Sequence, residues 1–285
     1  MSVKIIQDRL DTYQCKSAQE EQNALREITQ EVVLAALSRT SFFKHAGFQG
    51  GTCLRIFYSL NRFSEDMNFI TRKPLPDFSV DAYMKNICLE LEAFGYQPEV
   101  RDRSIADSAV KKMFIKDDAL GKVLRLNHPG SDGRMQNIKI KIEVDTHPPM
   151  VSRFDNKFCD FPFAFSAAVQ ELAGLFAGKI HALLCRDYAK GRDWYDFLWY
   201  TARGTRVDFE FLSAALNQSG PWTGSHIAVD QHWCINALQE RIDSLDWKAV
   251  RRDVLRFIKP NEVASLEVWG REFFLDRLQR YAEKQ

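Results

Sequence analysis

Between Gly50 and Asn68 the chain reads GGTCLRIFYSLNRFSEDMN, a run that gathers residue types able to handle phosphate. Two glycines followed by Thr52 at a helix start offer backbone N–H groups and a capping hydroxyl, which suit an anion such as a nucleotide phosphate. Taken alone, GGT reads as a tight turn into a capped helix. Asp66 follows fourteen residues after Thr52, in SEDMNF. If MNFI is a strand, Asp66 and Asn68 project from one face while Met67 and Phe69 enter the core. A carboxylate and an amide oxygen on one face, across from a phosphate-binding helix start, suit a Mg²⁺–nucleotide complex. A later segment, IKIKIEVD, alternates strictly: Ile138, Ile140, Ile142 and Val144 point one way, and Lys139, Lys141, Glu143 and Asp145 the other. Either Glu143 or Asp145 can then be offered to the same metal.

The elements that must position these groups follow from periodicity. Leu25, Ile28, Val32 and Ala36 repeat at helical spacing and predict a helix over 18–39. CLRIFYSL reads as a short helix after the glycine turn, and residues 79–94 as a helix closed by Gly95. YQPEVRD and VKKMFIK read as strands joined by a polar turn, and the Phe- and Pro-bearing stretch after HPPM, up to Ser166, as a connection. From Glu171 the pattern is helical: ELAGLFAGKIHALLCRDY, DWYDFLWYTA, then segments near 229–242, 245–258 and 261–282. The expected organisation is α+β, with a first domain over 1–160 built on a mixed sheet with flanking helices and a helical domain over 161–285.

The composition excludes several classes. With 285 residues, 45% of them apolar and 27% charged, and a net charge of +1, the chain is neither disordered nor uniformly basic. The longest stretch free of Asp, Glu, Lys and Arg, Phe211 to Val229, is broken by Asn217, Gln218 and Pro221 and cannot span a bilayer. The N-terminus MSVKIIQDRLD carries charge where a signal peptide needs an apolar core. No two of the six cysteines lie closer than 26 positions, and each has apolar neighbours, so buried reduced thiols and a cytoplasmic location are expected. The histidines show no paired-ligand spacing for zinc, and His181 reads as structural. Near-neutrality averages unlike regions: residues 39–73 hold six Lys/Arg against two Asp/Glu, and residues 101–141 ten against five. Those stretches flank the candidate metal carboxylates.

Together, GGT with RFSEDMNF, then KIEV, then ELAGLFAGKIHALLCR with GRDWYDFLWY, resemble the AbiEii-type nucleotidyltransferase toxin family, within the DNA polymerase β-like nucleotidyltransferase superfamily. The resemblance covers roughly residues 42–203 and implies a nucleotidyltransferase-type fold. It further implies transfer of a nucleoside monophosphate from an NTP with release of pyrophosphate, with Mg²⁺ or Mn²⁺ as cofactor. It implies an RNA acceptor, the 3′ end of tRNA, and an antitoxin encoded beside the toxin. Gly50, Gly51 and Thr52 match the phosphate-binding turn; Arg62 and Ser64 complete the expected nucleotide-binding set. Asp66 matches the first metal ligand. Asn68 stands where the family has a second aspartate, which removes one negative charge from a hard-cation site and predicts weaker metal binding, a different metal preference, or a slow or inactive enzyme. Glu143 matches the third carboxylate, with Asp145 in reserve.

In the helical half the resemblance implies that Lys179 faces the nucleotide and neutralises triphosphate charge. On periodicity alone it is a lysine that snorkels from an apolar helix. In GRDWYDF, Arg192 and Asp196 form an i,i+4 pair and Asp193 sits in the first helical turn, ordinary helix electrostatics. The resemblance implies that Asp196, or Asp193, orients Lys179 or Arg192 or supplies a base. Two alternatives stay open: a relative that binds nucleotide or RNA without transfer, and a transferase acting on a protein or small-molecule hydroxyl.

Overall fold

The computed structural model describes residues 2–104, 108–117, 119–120, 124–128 and 137–284. Two compact units emerge, one comprising Met1–Ser59, Phe63–His147 and Phe154–Val169, the other Leu60–Arg62, Pro148–Arg153 and Gln170–Gln285.

The first unit carries helices α1 (Ser2–Asp11), α2 (Ala18–Ser38), α3 (Phe42–His45), α4 (Gly50–Tyr58) and α5 (Asp81–Ala93). Its strands are β1 (Ala46–Gln49), β2 (Asp66–Thr71), β3 (Glu99–Asp102), β4 (Val110–Asp117), β5 (Ile138–Asp145), β6 (Phe154–Cys159) and β7 (Phe165–Gln170), whose last residue groups with the second unit. Among the described residues the seven strands form one mixed sheet in the order β3-β4-β5-β2-β1-β7-β6. Strand β2 runs parallel to β5 and antiparallel to β1, and β4 runs antiparallel to both β3 and β5. The architecture is therefore α+β: a mixed sheet with flanking helices, then C-terminal helices.

Alternation fixes the two faces of this sheet. In β5, Ile138, Ile140, Ile142 and Val144 are buried while Lys139 is exposed and Lys141, Glu143 and Asp145 are half-buried. Phe42 centres an aromatic cluster in the core, meeting Phe69 at 4.9 Å, Tyr83 at 5.1 Å and Phe78 at 5.8 Å between ring centroids, all edge to face. Helix α2 begins at an N-cap, Ser17, whose side chain accepts from the Glu20 N–H. Its buried acids are paired: Glu31 with Arg9 at 2.6 Å and Glu27 with Arg55 at 2.8 Å.

The second unit is helical: α6 (Leu172–Cys185), α7 (Gly191–Ala202), α8 (Phe209–Gln218), α9 (Gln231–Asp243), α10 (Trp247–Val254) and α11 (Arg271–Ala282), with 3₁₀ stretches at Leu255–Phe257 and Pro260–Val268. Its core is ring packing, with Phe176 stacked on Tyr200 at 4.4 Å and Phe274 on Trp247 at 4.3 Å.

Several elements differ from the periodicity reading. Strands β6 and β7 occupy the stretch expected to be a connection: β6 is an edge strand with little burial, and β7, FSAAVQ, is buried on both faces, so neither alternates cleanly. The short strand β1 and helices α1 and α8 also went unanticipated. The helix expected over 261–282 is split, because Trp269 and Gly270 are extended. Part of the polar turn expected between β3 and β4, residues 105–107, lies outside the described residues. All six cysteines are free thiols. No described helix is long and apolar enough to cross a membrane.

Replacing Phe42 by Ala removes the hub of the aromatic cluster, and about 3–5 kcal/mol of stability is expected to be lost. Urea or thermal denaturation followed by circular dichroism measures it.

Candidate active site

In the first unit the chemistry is positioned by the junction of α4 and β2. Helix α4 starts at Gly50, and its N-cap, Gln49, makes no side-chain cap, which leaves the first N–H groups of the helix to other acceptors. Gly50 adopts φ +79°, and a Cβ there would lie 3.2 Å from Asn68 Nδ2, so the glycine both permits the turn and lets the Asn68 amide lie against it. Thr52 departs from the expected capping role. Its hydroxyl is fully buried and donates to the Asp66 carbonyl at 2.5 Å, tying the helix start to the first residue of β2.

Strand register brings the acidic candidates together. Asn68 pairs with Glu143 and Asp66 with Lys141 across the parallel β2–β5 ladder, so all four share a face, opposite to buried Met67 and Phe69. Asp145 pairs with Ile70, further along, and its carboxylate accepts from the His147 N–H at 2.9 Å. Burial raises the Asp145 pKa above the ordinary value. Glu143 is flanked by Lys141 Nζ at 2.8 Å and Lys112 Nζ at 3.7 Å. Among the described residues no three His, Cys, Asp or Glu side chains form a metal cage. Asp66, Asn68 and Glu143 instead supply two carboxylates and an amide oxygen. These hard oxygen donors suit Mg²⁺ or Mn²⁺, with one negative charge fewer than three carboxylates would bring.

The second unit holds a buried ion cluster. Arg62 reaches Asp196 with two parallel bonds of 2.6 Å, and both side chains are almost wholly inaccessible. Lys179 Nζ bridges Asp196 at 2.8 Å and Asp193 at 2.7 Å, and Arg186 completes the set on Asp193. Burial alone would raise the Asp193 pKa, but Lys179, Arg186 and Arg62 outweigh it and hold the carboxyl below its ordinary value.

Lys179, Asp193 and Asp196 are thus brought together, and Arg62 joins them through Asp196. The Arg192 guanidinium lies 4.1 Å over the Phe257 ring. Ser64 offers its carbonyl to Gln30 at 3.2 Å. Sequence reasoning missed Lys112, Lys141 and Arg186 as partners of the candidate carboxylates. The β5 alternation already put Lys141 beside Glu143, whereas nothing local announced Arg186, which follows the end of α6. Lys122 and Arg134 of the basic 101–141 stretch lie outside the described residues.

Several solved structures share this fold. MenT4, a nucleotidyltransferase toxin from Mycobacterium tuberculosis, superposes with a TM-score of 0.55 at 17% identity, covering 100% of this chain and 94% of that one. JHP933 from Helicobacter pylori gives 0.52 at 16% identity over 92% and 91% of the two chains. A further H. pylori protein, described as a "putative nucleotidyltransferase", gives 0.51 at 15% identity over 90% and 92%. No curated protein matches the chain. Residues 32–277 match the family model described as Nucleotidyl transferase AbiEii toxin, Type IV TA system. The chain belongs to this AbiEii nucleotidyltransferase toxin family.

Asp196→Ala leaves the buried Arg62 guanidinium without its carboxylate, with an expected loss of about 3–5 kcal/mol read from the thermal midpoint. Because the native pKa of Asp193 is depressed, its contribution to stability is present above the unfolded value of about 4 and fades as pH falls through the native value. Asp193→Asn should therefore be less stable than wild type at pH 7, with the gap narrowing below about pH 4 in a chemical-denaturation series.

Proposed function

We propose that this protein transfers a nucleoside monophosphate from an NTP to the 3′-hydroxyl of an RNA, with tRNA as acceptor, as the toxin of a two-component system whose antitoxin is a separate protein. The observation that carries this reading is the register that sets Asp66 and Asn68 beside Glu143, next to the uncapped start of α4. Backbone N–H groups at Gly50 and Gly51 sit at the positive end of that helix, where a phosphate is stabilised without a basic side chain. Thr52 acts by position, holding the phosphate turn against Asp66. Asp66, Asn68 and Glu143 would hold Mg²⁺ or Mn²⁺, which when bound supplies Lewis-acid polarisation of the phosphoryl oxygens and lowers the pKa of a coordinated hydroxyl. Lys141 and Lys112 neutralise Glu143 until a cation competes for it. In the second unit three cations, Arg62, Lys179 and Arg186, face two carboxylates, Asp193 and Asp196, and the surplus positive charge supports a triphosphate-neutralising role for Lys179.

A second reading, nucleotide or RNA binding without transfer, is favoured by Asn68 alone. Incubation with labelled NTPs, Mg²⁺ or Mn²⁺ and total tRNA separates the two. Wild type is expected to label RNA, Asp66→Ala to lose about 100-fold or more of that activity, and Asn68→Asp to raise turnover or metal affinity. NTP binding without label transfer by wild type, restored in Asn68→Asp, establishes the second reading. Equal labelling by wild type and Asp66→Ala overturns the proposed chemistry.

A further inference from the structure

The face that carries Asp66 on β2 and Glu143 on β5 continues outward across two more strands, β4 and β3. Through successive pairings, Asp66 on β2 stands opposite Lys141 on β5, Lys141 opposite Phe114 on β4, and Phe114 opposite Arg101 on β3. Three interstrand steps of about 4.8 Å make this row roughly 15 Å long. The flanking rows add further lysines, with Lys112 beside Glu143 on one side and Lys116 between Lys139 and Glu99 on the other. Arg101 and Lys139 are exposed, and Arg103 lies 5.4 Å over the Phe114 ring. The outer part is concave, a cavity of about 370 Å³ lined by residues including Glu99, Arg101, Arg103, Phe114, Lys116 and Lys139.

Phe114 is the informative residue. On β4 the polar face reads Lys112, Phe114, Lys116, so a half-buried ring interrupts a lysine alternation and sits on the floor of a cationic hollow. Arg103 packs over one side of this ring, which holds the aromatic plane in place on the polar face. A ring with guanidinium and ammonium groups on each side is the combination that binds single-stranded nucleic acid, bases on the ring and phosphates on the cations.

We propose that this face of β3, β4 and β5 is a track for a short single-stranded RNA segment, which stacks a base on Phe114 and leads its 3′ end toward Asp66. Only the direction of the strand rests on the proposed transfer chemistry; the binding surface stands without it. An acidic protein would be attracted by the same charge but makes no use of the ring.

The test uses the full chain and a fluorescein-labelled ten-nucleotide oligoribonucleotide with a free 3′-hydroxyl, followed by fluorescence anisotropy over a salt series. The double variant Arg101→Glu/Lys139→Glu changes two exposed side chains, and Phe114→Leu removes the ring while keeping apolar volume, so circular dichroism melts should match wild type. Phe114→Leu is expected to raise the Kd at least fivefold. The double variant is expected to raise it about tenfold or more and to reduce the slope of log K against log salt by about 1.4, two phosphate contacts on a single strand. Affinity for a non-hydrolysable NTP analogue, measured without RNA, should stay within twofold. RNA binding within twofold of wild type in both variants overturns the proposal, as does absence of RNA binding by wild type. Equal competition by poly-glutamate at matched charge also overturns it and assigns the surface to acidic protein. Loss of RNA binding in the variants, with no transfer by wild type, upholds the track and defeats only the transfer chemistry. Transfer by the variants with an unchanged KM for RNA defeats the track alone.

Discussion

Everything at the candidate site hangs on the parallel pairing of β2 with β5. Strand side chains alternate with a period of two, so a slip of one residue would turn Asn68 and Asp66 inward and bring Met67 and Phe69 out. The slip is prevented by burial, since Met67 and Phe69 on one strand and Ile140, Ile142 and Val144 on the other are all almost wholly inaccessible. The geometry of the candidate site is thus fixed by the apolar residues between the polar ones. The hydroxyl of Thr52 adds one polar clamp, joining the first residue of the strand to the start of the helix.

Charge is arranged differently in the two units. In the first, Glu143 meets lysines that are themselves partly solvated, an arrangement in which ion pairs are weak and exchangeable. In the second, the Arg62–Asp196 pair is buried, and removing one partner is far costlier than the pair's net contribution. The same ionic chemistry can therefore serve ligand exchange in one place and specify structure in another. Burial decides which.

Much of the fold was legible where periodicity was strong. The alternation of IKIKIEVD announced β5, and the spacing of Leu25, Ile28, Val32 and Ala36 announced α2. Strand β7 was hidden because burial on both faces erases alternation, and α8 because its sequence, FEFLSAALNQ, lies inside a stretch rich in loop-forming residues. At the candidate site, the local pieces could be read: GGT, the Asp66/Asn68 face and Glu143. What could not be read was pairing over distance. The i,i+4 rule linked Arg192 to Asp196, whereas the two parallel bonds that Asp196 accepts from Arg62 span 134 residues and leave no local trace.

That long-range pair also orders events in time. Arg62 and Asp196 are 134 residues apart in sequence. At about 5–20 residues per second of synthesis, the carboxylate follows the guanidinium by roughly 7–27 s. During that interval Leu60–Arg62, though flanked in sequence by α4 and β2, belongs to a unit most of which has not been made. The helical unit cannot close around Arg62 until the segment carrying Asp196 has left the ribosome. A chain interrupted before that point carries an arginine with no buried counterion to receive it, so incomplete translation products are denied the native second unit.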